Sequence, residues 1–291
     1  FGSVAFNACE QLKSVHISDL TTWCKITPTS GDCNPLSYGA DLYLNGSKVT
    51  NLTIPSEITT INNMAFYGCG SLMSVTIPSH VTNISWSAFC GCQNIAQLTI
   101  EEGVTTIESY AFANCSKLKS VTIPDSVWRL GEAVFSRCNS LTEINCRYST
   151  ADKRCLLWNS TLNSFAPADL TSYDIPDSVT AIGSDAFYGY SNLTSISIPE
   201  GVTSIGNSAF FNCDALTNVT LPQSVTYIYM AAFNSCNKLE SVTIGANVGT
   251  IEDYAFNSCN KLTTVYCNAT TPPTLGGTCV FDGNASGRKI Y

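Results

Sequence analysis

Leu193-Thr-Ser-Ile196-Ser-Ile198-Pro199-Glu-Gly-Val202-Thr-Ser-Ile205-Gly-Asn-Ser-Ala209-Phe210 decides the fold of this chain, because nearly the same pattern returns every 23 residues. The Ala-Phe step keeps the count. Phe66, Phe89 and Phe112 follow one another at that interval, Val134-Phe135 continues it, and Phe187, Phe210, Phe233 and Phe256 form a second run. A period this short and regular predicts a solenoid, in which each coil buries its apolar side against its neighbours. One elongated domain over 1–291 is expected, since a stack is not limited by the size of a single core.

Each unit carries two short extended segments. Leu118-Lys-Ser-Val121-Thr-Ile123 and Val104-Thr-Thr-Ile107 show the two types, with alternating β-branched residues bounded by Pro, Gly and Asp. Pro78, Pro124, Pro199 and Pro222 end the first segment at a common position, where the coil turns and no ladder donor is needed. The Ala-Phe-x-x-Cys segment makes the other turn and has room for a short turn or a single helical turn. Stacked in parallel, Leu72, Ile95, Leu118 and Leu141 form one apolar file, Ile84, Ile107 and Leu130 another, and the phenyl rings the bulkiest. The fold class is mainly β. With no long helix on either side of a coil, gentle curvature is expected.

Irregular insertions interrupt the count at about 18–46 and 145–173, and a terminal element occupies about 268–291. The first contains Trp23, Asn34-Pro35 and a hairpin signal at Leu42-Tyr43-Leu44-Asn45-Gly46. The second contains Trp158 and Phe165. Insertions in a solenoid map to loops on one face and often alter binding; the plainer expectation is an irregular coil whose aromatic residues fill local core. The chain starts at Phe1 and its last strand runs to Tyr291, so a trimmed piece of a longer protein is expected.

Composition narrows the function. Charged residues make up 12% and the net charge is −8, which argues against nucleic acid because phosphate contacts need clustered Lys and Arg. No apolar run approaches the length that spans a bilayer. Of the 15 cysteines, Cys69, Cys92, Cys115, Cys138, Cys213, Cys236 and Cys259 recur with the repeat. Side chains in register keep their Cβ atoms at about the 4.8 Å strand spacing, wider than a disulfide takes, so buried thiols acting as small fillers are expected. Outside the column the pairs to test for bridges are Cys24 with Cys33, Cys146 with Cys155, and Cys267 with Cys279.

Catalytic chemistry is sparse. His16 and His80 lie on different repeats with no carboxylate partner repeated beside them, and His80 reads as a solvated turn residue. Cys90-Gly91-Cys92 lacks zinc spacing, and Asp174 with Asp177 reads as solvated charge before it reads as a calcium site. No catalytic residue, cofactor or metal is expected. What remains is surface. On the first strand the outward files include Thr76, Thr99, Ser120 and Thr122, then Ser195, Ser197, Asn218, Thr220, Ser241 and Thr243. A preformed sheet of hydroxyls offers a low ordering cost to a protein or glycan ligand. Tyr188, Tyr190 and Phe211, with Tyr227 and Tyr229 one coil further, form a second candidate as an exposed aromatic cluster.

The pattern Leu-x-x-Val-x-Ile-Pro-x-x-Val-x-x-Ile-x-x-x-Ala-Phe-x-x-Cys resembles the BspA-like, or Treponema-type, leucine-rich repeat of bacterial surface proteins, and Ala269-Thr-Thr-Pro-Pro-Thr274 is similar to their terminal element in gut anaerobes. The resemblance implies a secreted or surface-attached protein that contacts host proteins or other cells. It carries over no catalytic residue. The reading is a non-catalytic extracellular recognition module, with a passive spacer presenting another domain as the alternative.

Overall fold

A computed structural model describes residues 5–166, 170–287 and 289–290; Tyr291, the expected strand end, lies outside the described residues. The chain is mostly β, a parallel-sheet solenoid of about 11 turns spaced about 23 residues apart. It divides into two compact units, Phe1–Arg154 and Cys155–Tyr291.

In the first unit the first strands of successive coils pair in parallel. Asn51–Thr53, Ser74–Ile77 and Gln97–Ile100 form one sheet, with Val75 between Leu52 and Leu98, and Ser120–Thr122 pairs with Glu143–Asn145. In the second unit Ser172–Asp174 pairs with Ser195–Ser197, and Asn218–Thr220, Ser241–Ile244, Thr264–Cys267 and Lys289–Ile290 continue in register. The shorter second strands run as Thr60–Ile61, Asn83–Ile84, Thr106–Ile107 and Arg129–Leu130 in one unit. The other unit has Ala181–Ile182, Ser204–Ile205, Tyr227–Ile228, Thr250–Ile251 and Thr274–Leu275. Pro78, Pro124, Pro199 and Pro222 follow first strands, and each carbonyl accepts the N–H three residues on, closing a tight turn.

The Ala-Phe segment takes the turn form and not the helical one. Two residues flank the Ala-Phe step in the left-handed region in every coil from Phe66 to Phe256, for example Ser87 (φ 52°) with Gly91 (φ 78°), and Ser208 (φ 50°) with Asn212 (φ 56°). Left-handed residues at this spacing stop a helix from propagating. They also alternate the backbone N–H groups: Phe89 and Gly91 donate to Ala111 and Ala113 of the next coil at 2.8 Å, while Cys92 donates within its own coil to Phe89. The turn is therefore bonded between coils like a strand.

Aromatic stacking follows directly. Phe66, Phe89, Phe112 and Phe135 stack at centroid distances of 5.1, 5.4 and 5.7 Å. Phe187, Phe210, Phe233 and Phe256 stack at 4.8, 4.9 and 5.2 Å, and Phe281 extends the second file at 5.4 Å. Val280-Phe281 is thus the Ala-Phe step of the terminal element. All of these rings but Phe281 are fully buried.

The column thiols are buried, and they do more than fill space. Cys92, Cys115, Cys138, Cys213, Cys236 and Cys259 each donate from Sγ to the carbonyl of the Phe 26 residues earlier, at 3.0 to 3.5 Å. No disulfide joins any cysteine among the described residues, including the three pairs outside the column.

Both insertions contribute core residues, Trp23 in the first and Phe165 in the second, while Trp158 is only half-buried. In the first, Asp19 caps the helix Leu20–Cys24 by accepting from the N–H groups of Thr21 and Thr22, and the buried Trp23 indole donates to the Ala65 carbonyl at 3.0 Å. The hairpin forms as expected: Asp41–Leu44 pairs antiparallel with Ser47–Lys48 across Asn45 (φ 48°) and Gly46 (φ 81°). The second insertion holds a longer hairpin, Cys155–Trp158 against Thr161–Phe165, closed by Asn159 and Ser160, both with positive φ. Phe165 is buried there against Phe187 at 4.7 Å.

One glycine marks how closely the coils approach. Gly103 has φ +126°, and a Cβ built on it would lie 2.1 Å from the Ser79 carbonyl oxygen of the preceding coil. Gly103→Val is expected to cost roughly 2–6 kcal/mol, combining an unfavourable backbone region with a clash against backbone that cannot move aside. Urea denaturation followed by circular dichroism measures it; a loss below about 1 kcal/mol would mean that the turn relaxes freely.

Candidate ligand-binding surface

The first-strand positions face outward, alternating with apolar residues that are buried in most strands and half-buried at Leu98, Tyr173 and Ile196. In the first unit Thr99, Ser120 and Thr122 are exposed and Thr76 is half-buried. Thr76 aligns with Thr99 in one sheet, and Ser120 and Thr122 align with Glu143 and Asn145 in the next. In the second unit Ser195, Ser197, Asn218 and Thr220 are exposed, while Ser241 and Thr243 are half-buried. Asn218 and Thr220 align with Ser241 and Thr243.

The hydroxyls divide into two groups. One group is engaged: Thr82, Thr105, Thr203 and Thr226 each donate from Oγ1 to the carbonyl 23 residues back, at 3.0 to 3.2 Å. Much of the hydroxyl content therefore clamps coil to coil. Within the first-strand files Ser241 donates to Asn218 Oδ1 at 2.6 Å. By contrast, the hydroxyls of Thr99, Thr122, Ser197 and Thr220 make no recorded hydrogen bond among the described residues and stand open to solvent.

The aromatic candidates separate. Tyr188 and Phe211 stack at 4.7 Å and 16°, half-buried on adjacent coils. Tyr227 and Tyr229 form a second pair at 4.4 Å, with the Tyr227 hydroxyl donating to Glu252 at 2.6 Å; the Tyr227 acidity is pushed below normal by that bond to a carboxylate. Tyr190 does not belong to a surface cluster. It is only 3% exposed, and its hydroxyl donates to the Phe165 carbonyl at 2.7 Å. The reason is register: residue 190 stands three after Phe187, where other coils place the column cysteine, so its ring points inward and its O–H replaces the thiol donor.

His80 is likewise not a freely solvated side chain. It is half-buried, and its Nε2 lies 3.0 Å from the Pro55 carbonyl. His16 is exposed and stacks on Tyr43 at 4.6 Å. Among the described residues no group of three or more His, Cys, Asp or Glu side chains gathers to hold a metal. Cys92 is buried with its thiol turned to Phe66, and burial pushes the Cys90 thiol up to about 11, so neither is a ready thiolate. No helix among the described residues is long and apolar enough to cross a membrane.

Repeat, register and surface agree with one class of protein. The profile of the BspA type leucine-rich repeat region matches residues 38–156 and 159–283 in six copies, and the chain belongs to that family. No curated protein matches the chain. Solved structures with the same fold include a leucine-rich cell surface protein of Faecalibacterium prausnitzii A2-165, 22% identical over 88% of this chain and 83% of that one, with a TM-score of 0.58. The pneumococcal vaccine antigen PcpA is 21% identical over 81% of this chain and 64% of its own, also at 0.58. A leucine-rich repeat protein of Eubacterium ventriosum is 20% identical over 84% of each chain, at 0.53.

Proposed function

We propose that the chain is a non-catalytic extracellular recognition module, attached to or released from a bacterial surface, that binds a protein or glycan ligand through its first-strand face. The observation that carries this reading is the set of open hydroxyls at Thr99, Thr122, Ser197 and Thr220, held on rigid strands while hydroxyls elsewhere are used between coils. A ligand meeting preformed donors loses little entropy from the protein side. The names of two neighbours, a cell surface protein and a vaccine antigen, support an exterior location.

The test replaces Thr122, Ser197 and Thr220 together with Ala and compares binding to glycan arrays and to immobilised extracellular proteins. Loss of at least about tenfold in affinity for any bound ligand is expected, with the circular dichroism spectrum unchanged. Retained binding would remove this face from the assignment, and a protein that binds nothing on either panel would favour the spacer reading.

A further inference from the structure

A second surface of the first unit, away from the first-strand files, carries the chemistry of a single-sugar subsite. The second-strand side holds a hollow of about 160 Å³ lined by Trp86, Ile107, Glu108, Ser109, Arg129 and Gly131. Its wall is the Trp86 indole, 39% exposed although indole is the side chain with most to gain from burial. The Trp86 backbone is held: its N–H donates to Glu108 Oε2 at 2.9 Å, and its carbonyl accepts from Met64. The floor is low because Ser109 is small where the preceding coil carries Trp86, and Gly131 is small where the preceding coil carries Glu108. Ser109 Oγ accepts the Glu132 N–H at 3.0 Å, which leaves its own hydrogen to donate outward. On the far side stands Arg129, exposed at the start of its strand and with no recorded ion pair among the described residues.

We propose that this hollow binds a carboxylated sugar ring, such as a uronic or sialic acid residue of a glycan, with the ring against Trp86 and its carboxylate on Arg129. Three features select that ligand. A flat indole face suits the C–H face of a pyranose. A lone guanidinium offers the planar fork that matches one carboxylate. A doubly charged phosphate would be opposed by the adjacent Glu108 and by the net charge of −8 about twice as strongly as a singly charged carboxylate. The Ser109 hydroxyl and the remaining lone pairs of Glu108 supply a donor and acceptors for ring hydroxyls. The floor of Gly131 and Ser109 has no apolar slot of the kind that a peptide side chain would fill. The proposal shares with the preceding section a recognition role but uses a different surface, so the two fail independently.

Isothermal titration with the intact chain tests it, using a glucuronate-containing tetrasaccharide, sialyllactose and the carboxyl-reduced or unsialylated counterpart of each. Binding of at least one acidic probe is expected, accompanied by a change in tryptophan fluorescence, about tenfold or more tighter than its neutral counterpart. It is expected to weaken as salt rises. Trp86→Ala and Arg129→Gln should each lower affinity about tenfold or more, and Arg129→Lys should recover part of it. Arg129 is exposed, so an unchanged unfolding midpoint is expected for Arg129→Gln and separates lost contacts from lost structure, whereas Trp86→Ala also uncovers packed surface and should lower its midpoint. The triple Ala variant of Thr122, Ser197 and Thr220 should bind these probes as the parent does. The proposal is overturned if no acidic probe binds, if the neutral counterparts bind equally, or if Arg129→Gln leaves affinity unchanged.

Discussion

Raising the pH above about 9 is expected to unfold this protein, and the thiol column is the cause. Burial pushes the Cys92 and Cys213 thiols well above the ordinary value of 9.0. Cys115 is raised by its hydrogen bond with Cys138 and then by burial, Cys236 by burial and then by its bond with Cys259, and Cys24 by burial to about 12. In the unfolded chain the same thiols ionise near 9, so above that pH the unfolded state binds fewer protons than the folded one. Stability is therefore fully present below pH 9 and falls as pH rises, by up to about 1.4 kcal/mol per pH unit for each such thiol. Several thiols titrating together exceed the usual margin of a folded domain within about two pH units. Urea midpoints measured from neutral pH to about 10.5, beside thiolate absorbance, should show ionisation arriving with unfolding. Cys213→Ala with Cys236→Ala should flatten the slope. Thiolate appearing near pH 9 in a protein that stays folded would contradict the buried donors.

That behaviour shows where the sequence could and could not be read. The period alone locates the column, and a residue repeated with the Ala-Phe step at the end of a buried turn must face the core. What the period does not state is why the residue is cysteine. Only the coordinates show a Phe carbonyl one coil back within reach of Sγ, and Tyr190 placing its hydroxyl on the equivalent Phe165 carbonyl explains how one coil dispenses with the thiol. Tyr190 was legible by counting three from Phe187; reading it as a generic aromatic sent it to the surface. The left-handed pair around each Ala-Phe step was hidden for a different reason. Met64, Tyr110, Ala133, Ala231 and Tyr254 occupy one of its positions, residues that carry no turn preference of their own and accept the strain because bonds between coils hold them.

The surface was legible in outline and ambiguous in use. Alternation of buried and open residues put Thr122 and Thr220 outside, and they are outside. The same alternation could not separate them from Thr105 and Thr226, whose hydroxyls turn back to the preceding coil. Residue type is identical in the two cases, and the difference lies in which carbonyl comes within reach when one coil stacks on the next. The hairpin at Asn45-Gly46 announced itself by its turn residues, whereas the one at Asn159-Ser160 did not, because Ser is an uncommon choice for a positive φ.

Phe112→Ala is expected to be among the most damaging single substitutions in the first unit, at about 3–5 kcal/mol. The ring is fully buried and lies between Phe89 at 5.4 Å and Phe135 at 5.7 Å, so its removal strips a stacking partner from both. Collapse into the cavity is resisted by backbone: the Phe89 N–H is bonded to Ala111 and the Phe112 N–H to Val134, which fixes the spacing of the three coils. In a solenoid each coil is stabilised by its interfaces with neighbours, so a defect in the middle of the file weakens two interfaces and one at the end weakens fewer. Phe281, half-buried and stacked on Phe256 at 5.4 Å, provides the comparison. Phe281→Ala should cost clearly less than Phe112→Ala, on the order of 1–2 kcal/mol, because less surface returns to water. Urea denaturation of the two variants measures both losses, resolved by unit if the transitions separate. Equal losses at the two positions would show that the phenyl file is not held rigidly by the bonds between coils, and that the stack closes over a missing ring wherever it occurs.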